Sequence, residues 1–218
     1  MSGKKVVKSK SEVDPYWHQK HDEFNLIYLP FVVVTIINYG YHYLQNPTSA
    51  DVDSAYAIMS VVFLLYSALD TLWIIAKPNS VASPSLIIIH HIIAIIASVS
   101  PIYSKAIRVY QIGGTTVELN TWLLILRRYL RDRFLIIEVP FYITWIIIRV
   151  ISYPYILYCF TADLVYDTNK LQFRTNGLCW QNLGFGISVV ILNILNSKWS
   201  IDLVYNNFIR KDKKVKGL

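Results

Sequence analysis

His90 and His91 stand side by side in SLIIIHHIIAIIASVS, an apolar run with no other ionisable residue. An imidazole titrates near neutrality, so at a protected site it can accept, give or relay a proton, or attack a carbonyl carbon itself. Titratable groups in such a run are costly and are usually kept for function. Glu118 is the second candidate, a carboxylate in IRVYQIGGTTVELNTWLLIL that could share a proton with either ring. Asp70, Asn120, Arg149, Asn193 and Asn196 also fall inside apolar stretches, where each must face a bundle interior or a wet cavity because lipid offers no hydrogen-bond partner. Their candidate role is substrate binding. The alternative is purely structural: interhelical hydrogen bonds worth about 1 kcal/mol each, including a direct Asp70 to Arg149 pair.

Geometry restricts these choices. Successive residues on a helix point about 100° apart, so His90 and His91 cannot both aim at one spot, and one of them must contact a neighbouring helix. Asn193 and Asn196 are three apart, a spacing that would let both line one cavity wall.

The elements that hold these residues are membrane helices. Hydrophobic residues make up 54% of the 218, charged residues 16%, and the mean hydropathy is +0.39, all shifted from the balance of a soluble domain. Stretches of about 20 apolar residues predict an all-α, polytopic bundle of six spans: 26–44, 54–76, 85–103, 106–126, 134–161 and 178–197. The fourth is the most polar, with Gln111, Glu118, Asn120 and the Gly113–Gly114 pair. The fifth holds Pro140 and Pro154, so tilt or a kink is expected. Three regions follow: a segment over 1–25, a transmembrane domain over 26–200 and a basic tail over 201–218.

Lys and Arg cluster in the N-terminal segment, at Lys77, at Arg127, Arg128, Arg131 and Arg133, and in the tail from Arg210 to Lys216. The opposite connections carry few cations and include Asp51 and Asp53. This asymmetry predicts both termini in the cytosol. It also accounts for the net charge of +7 without nucleic acid, since the cations sit at span ends where they meet anionic head groups. The start is polar for more than twenty residues, so the first span is expected to serve as its own insertion signal. Lys214 and Lys216 fit a K-x-K-x-x retrieval signal, which points to the endoplasmic reticulum. Cys159 and Cys179 would flank the last luminal connection, as a disulfide or as two small apolar residues. Tyr41, Tyr43, Tyr103, Tyr110, Trp122, Tyr129, Tyr158, Tyr166, Trp180 and Trp199 fall near span ends, as an interfacial aromatic belt requires.

Five pieces in order resemble the TLC family. They are YSALD at 66–70, the histidine pair in LIIIHHIIAI, ELNTWLLILRR at 118–128, FYITWIIIRVISYP at 141–154 and LNILNSKW at 192–199. The resemblance implies a helix bundle around a lipid-accessible cavity, with His90 and His91 as the reactive centre. In the family's ceramide synthases such a pair, with nearby aspartates, joins an acyl group from acyl-CoA to a sphingoid base. The chain departs from the synthases in carrying Glu118 as its only acid between His91 and Tyr129, and the E-x-N and L-x-x-R-R elements look closer to the small TLC-domain proteins. The expected partners are membrane lipids, with acyl-CoA as co-substrate, no bound cofactor, no metal and no nucleic acid; homo-oligomer formation stays open. Four readings therefore stand: an acyl-CoA-dependent N-acyltransferase, a non-catalytic lipid-binding regulator of membrane composition, a cargo or translocation partner, and a transporter.

Overall fold

Asp14 starts the first helix: its Oδ1 accepts from Tyr16 N at 2.9 Å and Trp17 N at 3.4 Å, and Pro15 occupies the first helical position, where a missing N–H costs nothing. In the computed structural model, which describes residues 13–130, 134–166 and 180–206, this helix, α1, runs Pro15–Gln45. Helix α2, Ala50–Ala76, is capped by Ser49 and carries Asp51 and Asp53 in its first turn, where the helix dipole favours negative charge. Then come α3 (Pro84–Tyr103), α4 (Arg108–Thr115), α5 (Val117–Tyr129), α6 (Phe134–Thr144), α7 (Tyr153–Tyr166) and α8 (Trp180–Val204). All are helical, and there is no strand among the described residues.

Among the described residues five helices are long and apolar enough to cross a membrane: Pro15–Gln45, Ala50–Ala76, Pro84–Tyr103, Ile136–Leu164 and Asn182–Val204. The expected fourth span is instead two short helices, α4 and α5, joined at Thr116. Its polar composition explains the interruption: Thr116 Oγ1 donates to Gly113 O at 2.6 Å and Tyr153 OH to Gly114 O at 2.7 Å, satisfying carbonyls beside the joint. The fifth span is one long rod whose centre, Trp145–Ser152, widens into a π-helix between α6 and α7. Pro154 follows immediately and has no N–H to donate backward, so the widened turn takes up the mismatch.

Neighbour relations close these helices into a ring: α1 packs on α2, α2 on α3, α3 on α8, α8 on α7 and the π segment, these on α4 and α5, and α5 on α1. Two clusters fill it. One, around Leu29, Val32, Tyr39, Met59 and Phe63, lies between α1 and α2; the other, around Tyr110, Phe160, Phe185 and Val189, lies among α3, α4, α7 and α8. Gly186 permits the close approach of α8 to α7, since a Cβ there would stand 2.8 Å from the Phe160 ring. The outward faces are also apolar, with Ile27, Phe31, Val34, Ile58, Leu65, Ile147, Val150 and Ile194 all exposed. An exposed apolar shell around a polar-containing interior is the arrangement that lipid solvent requires.

Polar contacts define two ends. At one, Asp14 N donates to Asn79 O at 3.0 Å, Arg128 pairs with Asp22 at 2.6 Å and Arg127 with Glu138 at 2.8 Å. At the other, Asp53 holds Lys105 and Arg108, each at 2.5 Å, and Tyr110 OH donates to Asp163. Successive crossings alternate between these ends, so α1 begins and α8 finishes on the same face.

Of the aromatics expected in an interfacial belt, Tyr41, Tyr103, Tyr129 and Tyr158 are exposed, as such a position requires. Tyr110 is a correction: the short α4 turns it inward, where it is buried against Phe160 and Phe185. Trp199 also points inward, its ring edge against His90. Cys179, the dilysine-like tail and most of the N-terminal lysines lie outside the described residues, as do the side chains of Tyr166 and Trp180.

Candidate functional site

A narrow cavity of about 40 Å³ runs inside the ring. Its wall is mainly apolar, from residues such as Phe63, Ala94, Ala97, Phe185, Val189 and Leu192, with His90, Gln111 and Glu118 among its polar members beside the hydroxyls of Ser98, Thr115, Tyr110 and Tyr153. From His90 to Ser98, both on its wall, α3 advances about 12 Å. A histidine and a carboxylate thus stand on the wall of a largely apolar slot that also reaches Tyr110 and Phe185.

His90 and His91 divide as the helical rotation demands. His90 faces the cavity and Trp199, with ring centroids 5.1 Å apart, and its Nδ1 has no hydrogen-bond partner. His91 turns toward α2, its Nδ1 3.5 Å from Asp70 Oδ2 and 3.2 Å from Thr71 Oγ1. The Thr71 hydroxyl already donates to Ser67 O at 2.6 Å, so toward His91 its oxygen can only accept. Nδ1 of His91 therefore donates, and in the neutral ring Nε2 carries the lone pair.

Asp70 is the centre of a buried network. His21 Nε2 lies 2.7 Å from its Oδ1, Asn25 Nδ2 donates to the same oxygen at 3.2 Å, and Tyr66 OH donates to Asn25 Oδ1 at 2.7 Å. All five residues, His21, Asn25, Tyr66, Asp70 and His91, are buried, and together they join α1, α2 and α3. A carboxylate between two imidazoles, with one oxygen holding two donors and the other facing a third, is how a buried charge is tolerated. Residues 1–25 were expected to lie outside the bundle, so His21 and Asn25 escaped the sequence reading.

The third group surrounds Arg149, which the π-helical turn carries inward. Its Nε donates to Asn120 Oδ1 at 2.9 Å, Nη1 to Asn196 Oδ1 at 2.5 Å and Nη2 to Thr121 Oγ1 at 3.0 Å. Asn120 also donates to Phe141 O at 3.2 Å and Thr144 Oγ1 at 3.0 Å, which fixes its amide. Trp145 and Trp199 flank the guanidinium, with Cζ 4.8 and 5.8 Å from their rings.

Two expectations fail. Asp70 and Arg149 do not pair: Asp70 is engaged by α1 and α3, and Arg149 by α5 and α8. Asn193 and Asn196 do not share a wall, although a three-residue step leaves only about 60° between them: they fall on either side of the boundary between the α8 face packed on the π segment and the face turned outward. Asn196 faces Arg149, while Asn193 donates to Val189 O at 2.9 Å and faces an outer groove with Leu157, Ile194 and Lys198. The structure thus brings His90 and Glu118 to one cavity, Asn120, Arg149 and Asn196 to one cage beside it, and Asp70 and His91 to a network behind it.

The family model described as the TLC domain matches residues 17–205. No curated protein and no solved structure matches the chain.

Proposed function

The chain belongs to the TLC domain family, and from that premise we propose that it is an integral membrane enzyme that moves a fatty acyl group from a thioester such as acyl-CoA to an amine of the sphingoid-base class. The observation that carries this reading is the cavity, where His90, with an unpartnered Nδ1, and Glu118 are polar groups on an otherwise largely acyl-compatible wall. The acceptor nitrogen attacks the thioester carbonyl carbon, the C–N bond forms, and the C–S bond breaks. His90 takes the proton from the amine and returns it to the departing thiolate. Glu118 orients the acceptor amine as a hydrogen-bond acceptor, and the slot below takes the hydrocarbon chain.

The test uses detergent-purified protein with palmitoyl-CoA and sphinganine. Appearance of N-acyl product with release of free thiol is the expected result. A second reading is a non-catalytic lipid-binding regulator, in which the unpaired His90 Nδ1 holds a head group and no thioester is cleaved; either reading requires the helices to part, since about 40 Å³ is room for only a few waters. Saturable lipid binding with no product would replace the transferase with that regulator.

The compartment we assign is the endoplasmic reticulum, on the strength of Lys214 and Lys216. Replacing both with serine should release a fraction of the protein to later compartments, visible as a change in its co-localisation with organelle markers. Unchanged retention would remove this argument.

A further inference from the structure

Arg149 is a buried guanidinium at bilayer depth whose bonded partners are neutral. Three of its N–H groups go to Asn120, Asn196 and Thr121, which leaves two of the five that a guanidinium carries. Glu118 shares its electric field but makes no ion pair with it among the described residues. Burying a charge this way is expensive unless a further acceptor is supplied at some stage of function.

Two more polar atoms close by are buried and unsatisfied. Asn196 uses its Oδ1 to hold Arg149, and its Nδ2 is buried with no well-formed hydrogen bond, only a looser contact with the Tyr153 hydroxyl. His90 Nδ1 is likewise buried and unpaired. Trp199 touches both His90 and Arg149, and Tyr153 and Leu192, one helical turn before Asn196, line the cavity itself. Arg149 and Asn196 are not on the cavity wall themselves, but both adjoin residues that are: Trp199 links Arg149 to His90, and Leu192 stands one turn from Asn196.

We propose that Arg149 and Asn196 form an oxyanion-binding subsite, taking the acyl carbonyl oxygen of a lipid seated in the cavity and the negative charge it gains when the carbonyl is attacked. The inference rests on the cavity reading above. Fixed N–H donors aimed at developing charge in a water-poor site are the most effective form of such stabilisation. The π-helical turn has a role in this account: it brings Arg149 under Trp199, and the flanking tryptophans and amides hold it there before substrate arrives.

The test is equilibrium binding to purified full-length protein of a long-chain trifluoromethyl ketone, whose hydrated carbon carries a tetrahedral pair of oxygens. The matching long-chain hydrocarbon is the chain-only control. Wild type is expected to prefer the ketone by about tenfold or more, the range of a hydrogen bond to a charged group. Asn196→Asp keeps the oxygen that holds Arg149, removes the spare N–H and places a carboxylate in the subsite, so it should reduce that preference to near unity while leaving hydrocarbon binding intact. Arg149→Lys should reduce it as well, having lost the planar fork. An unchanged preference in Asn196→Asp would overturn the subsite alone, as would equal binding of the two probes by wild type. Binding of neither probe would overturn the cavity reading and this one with it.

Discussion

Asp70→Ala is expected to destabilise the bundle by about 3 kcal/mol, the low end of what removing one partner of a buried ion-paired group costs. Asp70 is only 2% exposed and accepts from α1 through His21 and Asn25, while His91 of α3 lies 3.5 Å away. Its loss takes the shared acceptor away from side chains of two helices, His21 and Asn25 of α1 and His91 of α3. Polar contacts between membrane helices are individually weak, averaging about 0.6 kcal/mol, so the expected size comes from three bonds failing together. Asp70→Asn should cost about 1 kcal/mol, because its remaining oxygen can still accept from His21. Reversible unfolding in mixed micelles measures both. A change below about 0.5 kcal/mol in Asp70→Ala would mean that the network does not hold α1 to the bundle. A double-mutant cycle with His21→Ala isolates the pair, since the two losses should be strongly non-additive.

That network also marks how far the sequence could be read. Asp70 and His91 are visible in it as polar residues inside apolar runs, whereas His21 and Asn25 precede the first apolar run. Yet the buried positions of α1 are His21, Asp22, Asn25, Leu29, Val32, Ile36 and Tyr39, one stripe at helical spacing that passes from polar to apolar without a break. The four-residue step from His21 to Asn25 was the available signal, and hydropathy averaging hides it. The rotation between His90 and His91 was legible because 100° is fixed by backbone geometry. Which of them faced the cavity was not, since that depends on which neighbours α3 packs against. Likewise Pro154 announced a distortion, but the π-helical turn and the inward swing of Arg149 depend on tertiary packing with α5 and α8. Tyr110 shows the opposite failure: an aromatic near an expected span end was read as an anchor, and the break between α4 and α5 moved it into the core.

The same division of labour between neighbours gives the second large effect. His90→Ala should lower acyl transfer by about 10²–10⁴-fold, the usual contribution of a positioned acid–base group, with little loss of stability. Its Nδ1 satisfies no other group, so its removal orphans nothing, and the void adjoins an existing cavity. His91→Ala should behave in the reverse sense. It removes a contact of Asp70 and of Thr71, so unfolding midpoints should fall, while turnover per folded molecule drops far less. Under the proposed reaction His91 would then be a positioning residue, setting the α3 register from which His90 reaches the cavity. Measuring turnover and unfolding on the same preparations separates the two roles. Loss of turnover in His91→Ala at unchanged stability, with His90→Ala still active, would exchange the assignments and make the Asp70-linked imidazole the reactive one. The structure argues against that exchange on geometry alone: the ring tied to Asp70 by 3.5 Å looks toward α2, and the ring with a free nitrogen looks into the slot.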